Sequence, residues 1–219
     1  MKKIENADIF IQNGLGLEIF MDKIFTIYPN LKVLDASINI KNVIKEDEVN
    51  PHVWTSIENY INQVKEISQV LTQQNSENKQ IYEENTEKYI KDLEKVEKQY
   101  EEISQELNGQ KAICLNEALE YLAKDIKLEY ISLHTDHDEN SMSAESIKNI
   151  INKMNTENIK IILIGKDDSI KNAEILANET NAKIYKLDTV LTGATDKSAY
   201  IDAANRNLEV LKSVLGDEK

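Results

Sequence analysis

The chain has 219 residues, and its 26 Lys and Arg against 39 Asp and Glu give a formal net charge of −13 at pH 7. This charge argues against nucleic acid and anionic membranes as main partners, because both repel it at long range. The single cysteine excludes a disulfide framework and any multi-thiolate zinc site. With 41% hydrophobic residues the chain can bury a core, and its length predicts one large domain or two small ones.

Neither a membrane-spanning helix nor a signal peptide is predicted from the sequence as given. No apolar run approaches the roughly 18 residues that a spanning helix needs. MKKIENADIF (1–10) has two lysines but no apolar stretch behind them.

The N-terminal segment, 1–75, predicts an incomplete α/β unit. ADIFIQNG (7–14) and KVLDAS (32–37) have the pattern of strands, and a helix is predicted over 16–28, before Pro29. A further helix is expected after Pro51. Two strands make a sheet that is marginal alone. We therefore expect either that the next helix covers this sheet or that a first strand belongs upstream of it.

The middle segment, 76–108, predicts one long helix over 79–107, because neither Pro nor Gly interrupts it before Gly109. Its apolar stripe follows a heptad-like spacing, which is typical of a coiled-coil seam and would make the chain a structural protein that dimerises through 82–107. A single helix lying along two domains is the other interpretation, and it stays open because three stripe positions are tyrosine, which packs poorly as a coiled-coil knob. The stripe consists of Tyr82, Tyr89, Leu93, Val96, Tyr100, Ile103 and Leu107.

The C-terminal segment, 109–219, alternates strand-like and helical patterns. Four βα units in series predict a parallel sheet with helices on its faces. Ser143 is the expected N-cap of the second helix of the segment. The predicted strands are 111–115, 128–133, 159–164 and 182–187, and the predicted helices are 116–126, 143–157, 168–180 and 198–215.

The sequence offers little for catalysis. It has three histidines and no HxxxH, CxxC, G-x-S-x-G or phosphate-binding glycine-rich motif. QNGLGLE (12–18) lacks the third glycine of a dinucleotide fingerprint, so we interpret it as a structural strand-to-helix turn. Cys114 is expected to be a small buried hydrophobe. We predict that the protein is not an enzyme.

Two histidine-containing segments are candidates for metal binding. His52 lies between Pro51 and the single tryptophan, Trp54, and is either a loop histidine packed on that ring or a metal ligand. In SLHTDHDENS (132–141), His134 and His137 lie among Asp136, Asp138 and Glu139. That segment is either a solvated acidic loop or a weak, exposed cation site.

The ends of the predicted parallel strands are the other candidate location, because open parallel sheets bind ligands beyond the carboxyl ends of their strands. Four residues hold such positions: Asn116, His134, Gly165 and Asp188. Asp188 has the best ligand chemistry among them, as a hard oxygen donor. An N-cap or turn role is the alternative for this aspartate.

Several of these segments together resemble the zinc- and manganese-binding solute-binding proteins of ABC transporters. NPHVWTS (50–56) resembles the DPHVW motif of that family, and ENADIFIQNGLGLE (5–18) resembles its ADLFVYNGLGLE segment. The resemblance continues in order to the end of the chain. The further matching segments are IYEENTEKYIKDLEKVEKQY (81–100), NEALEYLAKDIKLE (116–129), SMSAESIKNII (141–151), AEILANETNAKIYKLD (173–188) and YIDAANRNLEVLKSVL (200–215).

The resemblance implies two Rossmann-like α/β lobes, 1–75 and 109–219, joined by one long linker helix, with the N-terminal lobe missing its first strand. It implies that a zinc or manganese ion is held in the cleft between the lobes as transported cargo. The implied partners are a membrane permease and its ATPase, and the implied location is extracytoplasmic, as a periplasmic protein or a surface lipoprotein. We expect a monomer.

The resemblance carries the metal ligands over to His52, Asn116 and Asp188. Asn116 stands where the family has histidine, and Gly165 stands where manganese-type members have glutamate. A further family histidine lies upstream of the segment matched by 5–18, so this chain is expected to start too late to contain it. An alternative is therefore a degenerate or accessory member that binds no metal tightly and acts as an interaction protein.

Overall fold

The computed structural model describes residues 2–45, 48–133 and 143–217, and it confirms the predicted α/β fold with parallel sheets flanked by helices. The chain divides into two units, Met1–Glu94 and Lys95–Lys219, and the boundary falls inside the long helix. Among the described residues, no helix is both long and apolar enough to cross a membrane.

The first unit contains a small parallel sheet and two long helices. Its elements in chain order are α1 (Lys2–Glu5), β1 (Ile9–Gln12), a 3₁₀ turn (Ile19–Met21), α2 (Asp22–Ile27), β2 (Lys32–Asp35), a 3₁₀ turn (Val53–Thr55), α3 (Ile57–Gln74), a 3₁₀ turn (Ser76–Asn78) and the start of α4 (Lys79–Leu107). β1 pairs with β2 in parallel, with Ile9 opposite Lys32 and Gln12 opposite Asp35.

The helix predicted over 16–28 starts later than expected. Leu15 and Gly16 both have left-handed backbone angles, with φ of 56° and 85°, so the chain turns before it can wind into a helix. The 3₁₀ turn at Ile19–Met21 then leads into α2, which ends at Ile27, two residues before Pro29.

The second unit contains a four-stranded parallel sheet. Its elements after the end of α4 are β3 (Lys111–Cys114), a 3₁₀ turn (Glu117–Leu119), α5 (Glu120–Asp125), β4 (Glu129–Ser132), α6 (Ala144–Glu157), β5 (Ile161–Gly165), α7 (Lys171–Thr180), β6 (Lys183–Leu187) and α8 (Ala199–Asp217). The strand order is β4-β3-β5-β6, and every pairing is parallel. The four predicted βα units are therefore confirmed.

Local sequence signals explain where these elements begin and what they bury. The Ser143 hydroxyl accepts a 3.0 Å hydrogen bond from the Ser146 N–H, which confirms the predicted N-cap of α6. Every residue of β5 is buried, as expected for a strand that helices cover on both faces.

The C-terminal part of the α4 stripe is buried within the chain itself. Val96, Tyr100, Ile103 and Leu107 are each at most 5% exposed, and the Tyr100 hydroxyl donates to the Ala204 carbonyl at 2.9 Å. These side chains therefore form part of the core of the second unit. The stretch is not a coiled-coil seam, which removes the main support for the structural-protein interpretation.

Cys114 in β3 is fully buried, as predicted, and burial raises the pKa of its thiol to about 12. The thiol donates to the Asn116 carbonyl at 3.2 Å. Because the thiolate is the reactive form, we expect no labelling of the native protein by Ellman's reagent at pH 8. One thiol per chain should react in denaturant, since Cys114 is the single cysteine. Rapid stoichiometric labelling without denaturant would show that β3 is more open than described.

Candidate metal-binding residues

His52 lies in a tightly turned segment at the start of the 3₁₀ turn Val53–Thr55. Its carbonyl accepts hydrogen bonds from the Thr55 N–H at 3.2 Å and from the Thr55 hydroxyl at 3.1 Å. The imidazole is half-buried and packs on Trp54, with 5.2 Å between ring centroids. The predicted packing on Trp54 is therefore present, and it leaves the ligand interpretation open.

Asn50 selects the tautomer of His52. The buried Asn50 Oδ1 atom lies 3.0 Å from the His52 backbone nitrogen and 3.0 Å from its Nδ1. A backbone N–H can only donate, so the atom facing it is the carbonyl oxygen of the amide and can only accept. Nδ1 must then carry the proton, and the lone pair of the neutral ring lies on Nε2. Metal-binding histidines use this arrangement, in which one ring nitrogen donates to an oxygen and the other ligates.

A second polar network supports the segment that carries His52. Asn13 donates through Nδ2 to the Pro51 carbonyl at 2.9 Å, and its Oδ1 accepts from Gln63 Nε2 at 2.8 Å. Gln63 is buried in α3 and also donates to the Ser37 hydroxyl at 3.0 Å. Asn13 and Gln63 are 50 residues apart, and the sequence analysis identified neither of them.

The QNGLGLE segment is confirmed as a structural turn. The Glu18 carboxylate accepts from the backbone N–H groups of Asn13 at 2.7 Å and Gly14 at 3.1 Å. These are the groups that would face a phosphate in a glycine-rich loop, and here an anion of the chain itself already binds them. Gly14 has φ of 88°, and a Cβ at this position would lie 2.1 Å from the Asp35 carboxylate.

In the second unit, Asp188 follows β6 at the carboxyl edge of the sheet, and its carboxylate is almost fully buried. Oδ2 accepts from Lys166 Nζ and Arg206 Nη2, each at 2.9 Å, and Oδ1 accepts from the Val190 N–H at 2.9 Å. Burial alone would raise the pKa of Asp188, but the hydrogen bonds from Arg206, Lys166 and Val190 outweigh it and lower the pKa below its ordinary value. The carboxylate is therefore ionised and held in one orientation.

The backbone of Asp188 is held as firmly as its side chain. Asn207 on α8 accepts from the Asp188 N–H at 2.6 Å and donates to the Asp188 carbonyl at 2.9 Å. Asn207 is itself buried, so both backbone groups are satisfied away from water.

Asn116 follows β3 on the same edge and caps the next 3₁₀ turn. Its Oδ1 accepts from the Ala118 N–H at 2.9 Å, and its Nδ2 donates to Asp168 Oδ2 at 2.8 Å. Asp168 Oδ2 also accepts from the Gly165 N–H at 2.7 Å. A Cβ at Gly165 would lie 2.7 Å from that oxygen, so the carboxylate of Asp168 fits against residue 165 only because residue 165 is glycine.

The remaining candidates lie outside the described residues or are dispersed. His134, His137 and the acidic residues beside them fall in 134–142, which the structure does not describe. Within residues 2–45, 48–133 and 143–217, no group of three or more His, Cys, Asp or Glu side chains is arranged to hold a metal ion. The predicted ligands that the structure describes are thus the imidazole of His52 in the first unit and, in the second unit, the amide of Asn116 and the carboxylate of Asp188.

Lys166, Arg206 and Asp168 contact the predicted ligands but were missed in the sequence analysis. Lys166 directly follows β5 and Asp168 lies three residues after its end, so the strand-end rule that selected Asp188 applies to both. Arg206 precedes Asn207 in a helix, and no sequence pattern indicates its contact with Asp188.

Comparisons with known sequences agree with the resemblance. A model of the family described as zinc-uptake complex component A, periplasmic (ZnuA) matches residues 1–214. The high-affinity zinc uptake system protein ZnuA of Bacillus subtilis is 31% identical over 172 residues, which are 76% of this chain and 54% of that protein. The manganese ABC transporter substrate-binding lipoprotein PsaA of Streptococcus pneumoniae serotype 4 is 21% identical over 226 residues, covering 95% of this chain and 73% of that one. The chain therefore spans about half the length of the first relative.

Solved structures have the same fold. The metal-dependent lipoprotein YcdH from Bacillus subtilis gives a TM-score of 0.81 at 27% identity, covering 96% of this chain and 81% of that chain. The solute-binding protein FpvC of Pseudomonas aeruginosa in complex with Ni²⁺ gives a TM-score of 0.86 at 21% identity, covering 99% of this chain and 81% of that chain. Because the family model matches almost the whole sequence, the chain belongs to the ZnuA family of periplasmic zinc-uptake components.

Proposed function

We propose that the chain is the extracytoplasmic solute-binding component of an ABC transporter for zinc or manganese, and that the ion is its cargo. One observation carries the proposal: the Asn50 carbonyl oxygen holds His52 in the tautomer whose Nε2 bears the lone pair. The names of the relatives support zinc or manganese as the metal and a periplasmic or lipoprotein location. A monomer that delivers the ion to a membrane permease with its ATPase completes the proposal.

The proposed donors are His52, Asn116 and Asp188. An imidazole can bind zinc or manganese but favours zinc, whereas carboxylate and amide oxygens suit manganese better than zinc. A carbonyl oxygen has two lone pairs, so Asn116 Oδ1 keeps one beyond that used by Ala118. A set with one nitrogen and two oxygens is expected to discriminate weakly between the two metals.

Thermal melting with and without metal tests this function. A ligand at 100 times its Kd stabilises the folded state by about 2.7 kcal/mol, so the melting temperature should rise by about 5–10 °C at this chain length. We expect this rise with zinc or manganese relative to excess EDTA, and a much smaller rise with calcium. The D188N variant, which keeps the shape of the side chain but removes its charge, should lose most of the rise.

Two outcomes of this experiment would contradict the proposed function or the proposed site. A cooperative melt at one temperature in EDTA, zinc and manganese would mean that the fold carries no metal site of useful affinity. An equal rise in the unsubstituted chain and in D188N would place the metal elsewhere.

A further inference from the structure

Asp188 is proposed as a metal ligand, yet two cations of the chain already bind it. Lys166 and Arg206 both donate to Oδ2 at 2.9 Å. Two positive charges therefore face one buried carboxylate. Asp167 Oδ2 also lies 4.0 Å from Lys166 Nζ, but its side chain is 75% exposed, so water screens its charge. A divalent cation that approaches Asp188 Oδ2 therefore meets electrostatic repulsion before it can coordinate.

The sheet register brings Lys166 to this carboxylate. Gly165 pairs with Leu187, and the Lys166 N–H continues the ladder by donating to the Leu187 carbonyl at 2.7 Å. Lys166 and Asp188 therefore leave neighbouring strands at the same level. Backbone pairing therefore places the Lys166 side chain within reach of the Asp188 carboxylate.

Burial of the three charged groups is unequal. The Asp188 side chain is 3% exposed, whereas those of Lys166 and Arg206 are 37% and 60% exposed. The two cations can move into water at small cost, because much of each side chain is already solvated. The buried carboxylate cannot move into water. It therefore needs a cation or hydrogen-bond donors beside it, both with and without a bound metal.

We propose that Lys166 and Arg206 are internal counter-cations, that a metal ion binds Asp188 only by displacing them, and that Lys166 sets the metal affinity of the site. This inference rests on the proposed metal-binding function. The exchange conserves the charge at the carboxylate: one divalent ion takes the place of the ammonium group of Lys166 and the guanidinium group of Arg206, and both groups return to water. A chain with a neutral side chain at position 166 should bind the same metal more tightly.

The test compares K166M, K166R and K186M with the unsubstituted chain in competition titrations of zinc and manganese against a chromophoric chelator. K166M removes the charge but keeps an aliphatic stem, and it should bind about tenfold more tightly, equivalent to about 1.4 kcal/mol. K166R keeps the charge and should remain close to the unsubstituted chain. K186M removes the same charge from an exposed position of β6 two residues before Asp188, and it controls for long-range electrostatics.

Melting separates competition from a merely structural ion pair. In EDTA, K166M should melt at or below the temperature of the unsubstituted chain, because a buried carboxylate has lost a donor. In saturating metal, its stabilisation should be larger. A structural role alone would lower both melting temperatures together.

The outcomes for this inference and for the proposed function are distinct. If the unsubstituted chain binds metal through Asp188 but K166M and K186M have equal affinity, the competition is disproved and the function stands. If K166M binds metal and the unsubstituted chain does not, the competition is supported and the transport function fails for this chain. If no variant binds metal, both are wrong.

Discussion

The His52→Ala variant is expected to bind zinc or manganese at least about 100-fold more weakly than the unsubstituted chain. His52 supplies the single nitrogen donor of the proposed set. Asn50 Oδ1 orients its ring by accepting from Nδ1 at 3.0 Å, and it also accepts from the His52 backbone N–H at 3.0 Å. Loss of an outer-shell partner of a metal-bound histidine typically costs about 10–100-fold, so loss of the ligand itself should cost more. A competition titration with a chromophoric chelator measures the effect directly.

Two further variants serve as comparisons for His52→Ala. Asn50→Leu keeps the imidazole but removes the oxygen that fixes its tautomer, and it should weaken binding by about 10–100-fold. A His134→Ala/His137→Ala double variant removes the other two histidines and should bind as the unsubstituted chain does. If the double variant loses binding and His52→Ala keeps it, the metal binds at the acidic 132–141 segment instead.

Replacing Asn207 with leucine is expected to lower the free energy of unfolding by about 2–5 kcal/mol, because two buried backbone groups lose their partners at once. The Asn207 amide bonds both the N–H and the carbonyl of Asp188, at 2.6 and 2.9 Å, and its side chain is 3% exposed. Leucine has the same branching and the same number of side-chain heavy atoms as asparagine, so the substitution removes hydrogen bonds without creating a cavity. Urea denaturation followed by circular dichroism measures the change.

The matched control for this substitution is Asn205→Leu. Asn205 lies on α8 two residues earlier and is exposed. The Asn205→Leu substitution should therefore change the free energy of unfolding of the protein by at most about 0.5 kcal/mol. Equal effects at both positions would mean that leucine perturbs α8 generally and that the Asp188 hydrogen bonds contribute little.

The elements of the second unit were predictable because their signals are local. The apolar run at 159–164 became β5, whose five residues are all buried. Ser143 starts α6 through its own side chain, and Asn158 ends it in the left-handed conformation, with φ of 54°. Patterns of this kind depend on neighbours in sequence, so a single sequence is enough to interpret them.

The environment of the candidate ligands was not predictable in the same way. Lys166 meets Asp188 because Gly165 pairs with Leu187, and this register depends on the folded sheet. Asn13 reaches Pro51 across 38 positions of sequence. The strand-end rule located Asp188 at the correct edge of the sheet, but it gave no information on which cations would meet it there.

Asn116 and Gly165 illustrate how family resemblance and local physics complement each other. The resemblance identified both as departures from the usual ligands. The structure adds that Asp168 bonds both residues, and that its carboxylate occupies space that a side chain at 165 would need. Restoring a glutamate at 165 alone would therefore require Asp168 to move.

The most direct test of metal binding through His52 is long-range ¹H–¹⁵N NMR of the three histidine rings during a zinc titration. Before zinc, His52 should have a protonated Nδ1, as its contact with Asn50 requires, and in the neutral ring Nε2 is the nitrogen without a proton. One equivalent of zinc should shift the Nε2 resonance of His52 and leave its Nδ1 protonated. An unchanged His52 ring, with shifts confined to His134 and His137, would contradict the proposed site and the transport function that depends on it.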